Sequence, residues 1–242
     1  MTKIVKQMAL ALVALAPGFA MAQSAEEPLI TVIGAASRIG LSETTTFANR
    51  PVPADPEQYR NIPAADGARA VLIDFAQCLY KTQKSGLMKL TAAVPGSGPF
   101  NDLARAAADN RCITTGEMSF RPSALYGAAY VVRYRDAFRA APPTPAAKPV
   151  DYTAVAKGLS GDALQLYVSS RRFADCVAQK DPQAAHAVVM GAPGGSTEAA
   201  AFGTINTALS ACLGQGMTVK LTKDFVKGVL AEAMVRGAAG AA

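Results

Sequence analysis

A single histidine, His186, in 242 residues excludes most of the chemistry that histidine usually carries. A Ser-His-Asp triad would have to be built on that one ring, and no Gly-x-Ser-x-Gly turn accompanies it. The four cysteines include no close pair of the C-x-x-C kind, so neither they nor His186 suggest a metal site. No apolar run approaches the roughly 20 residues needed to cross a bilayer, so no membrane span is expected. Charge is sparse, at 17% of residues, and its basic part is dispersed. The densest clusters, Arg133-Tyr134-Arg135 with Arg139 and Arg171-Arg172, read as solvated helix faces rather than a continuous stripe, which argues against nucleic acid. The carboxylate pairs Asp102 with Asp109 and Asp175 with Asp181 read likewise as solvated faces or, at Asp181, as a helix cap. This inventory suggests no catalytic, cofactor-binding or metal-binding residue.

What is present begins with the three parts of a secretory signal. Lys3 and Lys6 precede an apolar run from Met8 to Ala16, and Ala20-Met21-Ala22 forms a small-x-small cleavage site before Gln23. Residues 1–22 are therefore expected to be removed, and the loss of two lysines lowers the formal charge from +6 to +4. The expected location is the periplasm or the exterior.

The four cysteines fall into two similar settings. Phe75-Ala76-Gln77-Cys78 recurs as Phe173-Ala174-Asp175-Cys176, and Pro95-Gly96 as Pro193-Gly194, both 98 residues later. Cys112 and Gly116 return as Cys212 and Gly216 after 100 residues, and Gly127 and Arg135 as Gly228 and Arg236 after 101. This slow drift is what small loop insertions produce in a duplicated unit, so the chain reads as an internal repeat. The fold class expected is all-α: two tandem four-helix repeats, each with one disulfide, after a mostly disordered N-terminal arm.

In residues 23–68, Pro28, Pro51, Pro53, Pro56 and Pro63 favour an extended arm in which only Leu29–Ile33 is strand-like. The first repeat, 69–140, opens with a helix whose inward face runs through Val71, Phe75, Cys78 and Thr82, widened by Leu72 and Leu79. Ser85 caps a short second helix; Ser97-Gly98-Pro99 starts a third, ending near Arg111; Pro122 starts a fourth with Leu125, Ala129 and Val132 inward. A proline-rich linker, 141–152, separates the repeats. The second repeat, 153–237, runs from a helix at Asp162 to Lys180, through Asp181-Pro182 as cap and first turn of a short helix to Met190, and a third helix to Cys212. Thr222 caps the last helix, and a tail at 238–242 should fray.

Four cysteines allow three pairings. If the units are duplicates, Cys78 joins Cys112 and Cys176 joins Cys212, each closing a loop of about 35 residues for roughly 3–4 kcal/mol in the chain-entropy model.

Several segments resemble known families. Ile30 to Gly40 resembles the glycine-rich turn of short-chain dehydrogenases, with Tyr80 and Lys84 as a Tyr-x-x-x-Lys, but Arg38 stands where the middle glycine must admit a pyrophosphate. Glu26-Glu27 followed by Leu29 to Gly34 resembles the short extended box near the N-termini of TonB-dependent outer-membrane proteins. Leu29, Ile30, Thr31, Val32 and Ile33 are thus a candidate strand for pairing with a partner's sheet edge. From Arg69 onward, the Phe-Ala-x-Cys opening and the Cys-x-x-x-Gly elements resemble the exported, cysteine-paired helical proteins of alphaproteobacterial genomes, which implies a fold and a compartment but no activity. Cys112 to Gly116 and the helix to Arg135 are similar to the closing element of the immunity proteins that neutralise type VI secretion amidases. Three functional classes stay open. The residues favour a non-enzymatic exported binding protein with a protein partner, against a toxin-neutralising or stress-chaperone role and against an exported enzyme.

Overall fold

A computed structural model describes residues 45–48, 62–108, 112, 117–145, 149–214 and 219–239. Helices α1 (Ala64–Thr82), α2 (Lys84–Ala92), α3 (Gly98–Ala108) and α4 (Pro122–Ala137) form a first unit; α6 (Gly161–Lys180), α7 (Pro182–Met190), α8 (Ser196–Cys212) and α9 (Lys223–Ala239) form a second. A short α5 (Tyr152–Val155) lies between them. Two four-residue strands, β1 (Thr45–Ala48) and β2 (Glu117–Phe120), pair antiparallel with Thr45 opposite Phe120. Among the described residues the fold is thus all-α apart from this ribbon, with two four-helix units each closed by one disulfide: Cys78–Cys112 at 5.7 Å between Cα atoms and Cys176–Cys212 at 5.9 Å.

The units match in detail as well as in order. Ser97 N–H bonds Val94 C=O at 3.0 Å in the turn from α2 to α3, and Gly195 N–H bonds Ala192 C=O at 3.0 Å in the turn from α7 to α8. Both turns need a left-handed residue and place glycine there, Gly96 at φ 91° and Gly194 at φ 74°. Helix starts follow local chemistry: Asp181 accepts from Ala184 N–H with Pro182 at the first position, and Ser97 Oγ accepts from Phe100 N–H.

The two units share one core. Helices α4 and α9 form the most extensive helix pair, each is buried on nearly every side, and one continuous apolar cluster includes residues of both units. They meet at the equivalent glycines: a Cβ placed on Gly228 would lie 2.7 Å from Gly127 Cα. Equivalent arginines then reach across to the opposite unit. Arg135 on α4 donates to Val189 C=O and Gly191 C=O at the end of α7, at 3.0 and 2.8 Å, while Arg236 on α9 donates to Thr91 C=O near the end of α2, at 3.3 Å. Each satisfies carbonyls that a helix C-terminus leaves free.

Four sequence expectations change. Helix α1 starts at Ala64, not Arg69, and buries Ile73, Phe75, Ala76 and Leu79, so Cys78 sits beside the core rather than within it and Thr82 is exposed. Helix α2 has Gln83 at its N-cap with no side-chain cap, not Ser85. Thr45–Ala48 pairs as a strand, since β-branched threonines and phenylalanine suit an extended backbone once a partner strand is in place. Helix α9 continues to Ala239, because Gly237 packs in the interior. The strand-like segment Leu29–Ile33 and the dehydrogenase-like turn lie outside the described residues.

No helix among the described residues is long and apolar enough to cross a membrane. Removing one bridge by Cys176→Ala with Cys212→Ala should lower stability by about 2–4 kcal/mol in urea unfolding. A change within 0.5 kcal/mol would show that the bridge constrains nothing that packing does not already fix.

Candidate functional site

Among the described residues, two buried polar clusters and one open groove each bring several polar side chains together. The first cluster is built around Glu232, which is 0% exposed on α9. Its carboxylate accepts from Tyr126 and Tyr167 hydroxyls at 2.7 Å each, from Arg236 Nε at 2.9 Å and from Arg171 Nε at 2.9 Å. Burial pushes Glu232 up, but Arg171 and Arg236 outweigh it and hold the carboxyl below the usual range. The second cluster is built around Glu198 at the start of α8, which accepts from Arg69 and Lys227 side chains and, at 3.1 Å, from Gly194 N–H. Burial pulls Lys227 down to about 8 against the opposing pull of Glu198.

The donors of the two clusters stand at matching sequence offsets. Arg69 and Tyr167 are 98 residues apart, Lys227 and Tyr126 are 101 apart, and within each pair one donates to Glu198 and the other to Glu232. The acids come from different positions: Glu198 corresponds to Phe100, which packs edge-on to Tyr126 at 5.7 Å, and Glu232 to Val131. Every polar side-chain atom buried in the described residues has a hydrogen-bond partner. Both clusters therefore consume their own polar groups and act as internal braces.

The groove is different in kind. It runs between the linker and α6, and α5 shapes it: Asp151 accepts from Thr153 and Ala154 N–H, which turns the chain so that Tyr152 is buried at 1% exposure beside Val94, Tyr167 and Val168. The Tyr152 hydroxyl donates to Asp175 Oδ1 at 2.8 Å. Asp175 sits half-buried between a recess of about 30 Å³, walled by Pro143, Pro145, Met234 and Pro182, and an open groove of about 450 Å³ bordered by Pro149, Val150, Arg172 and Gln179. Burial pushes its carboxyl up to about 6; the Tyr152 bond opposes this and Glu232 adds to it. The recess has room for about one water molecule. A ligand would have to lie along the outer groove.

The pKa shift fixes a pH dependence. Asp175 binds its proton more tightly in the folded chain than its ordinary value of 3.8 allows, so stability falls as pH rises from about 4 to about 6 and stays lower above that. Asp175→Asn, which still accepts from Tyr152, is expected to raise the melting temperature at pH 7.5 and to change it little near pH 4. A lower melting temperature at both pH values would contradict the placement of this carboxyl.

All four cysteines are paired as expected, Cys78 with Cys112 and Cys176 with Cys212, and no free cysteine occurs among the described residues. His186 is partly buried on α7, its Nδ1 2.7 Å from the Tyr134 hydroxyl, and burial lowers its pKa. Asp102 pairs with exposed Arg105, as a solvated face should; Asp109 lies outside the described residues. Asp175 is not the solvated partner of Asp181, because the linker folds over it. Of the arginines expected on solvated faces, Arg139 and Arg172 are exposed, whereas three turn inward: Arg171 is 9% exposed, Arg135 binds α7, and Arg133 donates to Thr91 Oγ1 at 2.7 Å. The signal that marks Glu232 is an acid inside the apolar run Val229-Leu230-Ala231-Glu232-Ala233-Met234. No protein-family model matches this chain, and no curated protein or solved structure matches it either.

Proposed function

We propose that this chain is an exported binding protein that engages a protein partner through the groove between its linker and α6. The observation that carries the reading is that groove, where a half-buried carboxyl, braced from behind by a buried phenol, meets an opening bordered by Pro149 and Val150 on one side and by Arg172 and Gln179 on the other. Prolines and a capped turn restrict the backbone along the described part of this wall, which reduces the entropy cost of binding. Export is supported by the lysines, apolar run and Ala20-Met21-Ala22 site at the N-terminus, and by bridges that persist in oxidising compartments. The matching turns, glycines and cross-unit arginines support an internal duplication, in keeping with the resemblance to exported cysteine-paired helical proteins.

An enzymatic reading has one observation in its favour, a carboxyl near 6 hydrogen-bonded to a tyrosine. The adjoining recess has a volume of about 30 Å³, too little to enclose a substrate, so the open groove fits recognition better than catalysis.

The test is capture from periplasmic extract with the oxidised protein starting at Gln23, alongside Asp175→Lys in the groove and Arg105→Glu on the exposed face of α3. A protein retained by the parent and by Arg105→Glu, and lost with Asp175→Lys, is the expected result. Capture indifferent to both substitutions, or none at all, would contradict the proposal.

A further inference from the structure

The groove holds an imbalance that the rest of the interior lacks. Glu198 is paired with Arg69 and Lys227, Glu232 with Arg171 and Arg236, and Asp66 with Arg69. Asp175 is half-buried as well, yet among the described residues no cation forms an ion pair with it and a phenol is its hydrogen-bond partner. That phenol occupies Oδ1. Asp175 itself lines the open groove. Burial and the negative charge of Glu232 both act against the ionised form, and the Tyr152 hydroxyl bond opposes them only in part.

We infer that Asp175 is the counter-ion for a cationic group on an aliphatic stem, a lysine or arginine side chain of the bound protein, laid along the groove. The inference rests on the binding-protein reading above. Pro149 and Val150 offer apolar surface to a stem of three or four methylenes, and the Gln179 amide lies at the rim for a second polar contact. Tyr152 and Asp151 face the carboxyl from the linker side, Arg172 flanks it on α6, and Glu232 lies behind it on α9. Asp151 is already engaged with two backbone N–H groups, which leaves Asp175 as the acceptor. Arg172 is exposed and competes weakly with an incoming cation through water.

The experiment is an NMR titration of the oxidised protein with Nα-acetyl-lysine methylamide and with its uncharged counterpart, Nα-acetyl-norleucine methylamide. The lysine probe is expected to shift Tyr152, Asp175 and Gln179 resonances and to bind at least tenfold more tightly than the norleucine probe. Its affinity should fall about tenfold from pH 7.5 to pH 5, as the carboxylate is protonated. Asp175→Asn, whose fold the same spectra verify, should abolish the difference between probes, and Arg172→Gln should tighten lysine binding about two- to threefold. Equal binding of the two probes, or lysine binding retained in Asp175→Asn, would overturn the inference. If partner capture still depends on Asp175 in that case, the ligand class is wrong while the binding-protein reading stands; if capture fails too, both fall.

Discussion

Glu232→Gln is expected to lower folding stability by about 3–5 kcal/mol, because it leaves the guanidinium groups of Arg171 and Arg236 in the interior without their counter-charge. Side-chain volume is nearly unchanged, so the loss reports charge and hydrogen bonding rather than a cavity. The first unit indicates how the loss can be reduced. Where the second unit has Arg171 and Glu232, the equivalent positions carry Ile73 and Val131, both buried and apolar. Arg171→Ile with Glu232→Val should therefore cost at least about 2 kcal/mol less than the two single changes added together. Urea unfolding at pH 7 measures Glu232→Gln, the two single changes and the double change. A Glu232→Gln cost below 1 kcal/mol, or strict additivity, would show that the cluster does not brace the core.

The second large effect reverses an ordinary trend. Glycine to alanine inside a helix normally stabilises by about 1 kcal/mol, since glycine loses more backbone freedom on folding. Gly203 on α8 is such a site: a Cβ there meets nothing within 4 Å, and Gly203→Ala should stabilise by about that amount. At Gly228 the new methyl would lie 2.7 Å from Gly127 Cα and 3.5 Å from Gly127 C, so α4 and α9 must move apart. Gly228→Ala is expected to destabilise by about 1–3 kcal/mol. Gly127→Ala, whose Cβ would meet Gly228 Cα at 3.2 Å, should cost less. Stabilisation by Gly228→Ala would mean that the two helices do not cross here.

These two sites also mark the boundary of what the residue pattern could convey. Local chemistry was legible: Asp181-Pro182, Ser97 and Pro122 start helices at the expected places, because a cap or a first-turn proline acts within four residues of itself. The disulfide pairing was legible through the recurrence of its surroundings. The packing of the units was not. Helices α4 and α9 are buried almost all round, so they carry no single apolar stripe to show which neighbour each faces, and Gly127 and Gly228 could be matched without revealing that they touch. The groove was hidden for a related reason. Proline-rich composition announces that Pro142–Pro149 cannot be helical but does not say that the linker folds back over α6, and Asp175 is half-buried only because it does.

The measurement that bears most directly on this architecture is the contact between Gly127 and Gly228. In protein labelled at glycine, the shared-core arrangement predicts strong nuclear Overhauser cross-peaks between the α-protons of these two residues, since a Cβ on one would stand 2.7 Å from the Cα of the other. Absence of those cross-peaks, with each glycine coupled to residues of its own unit alone, would contradict it.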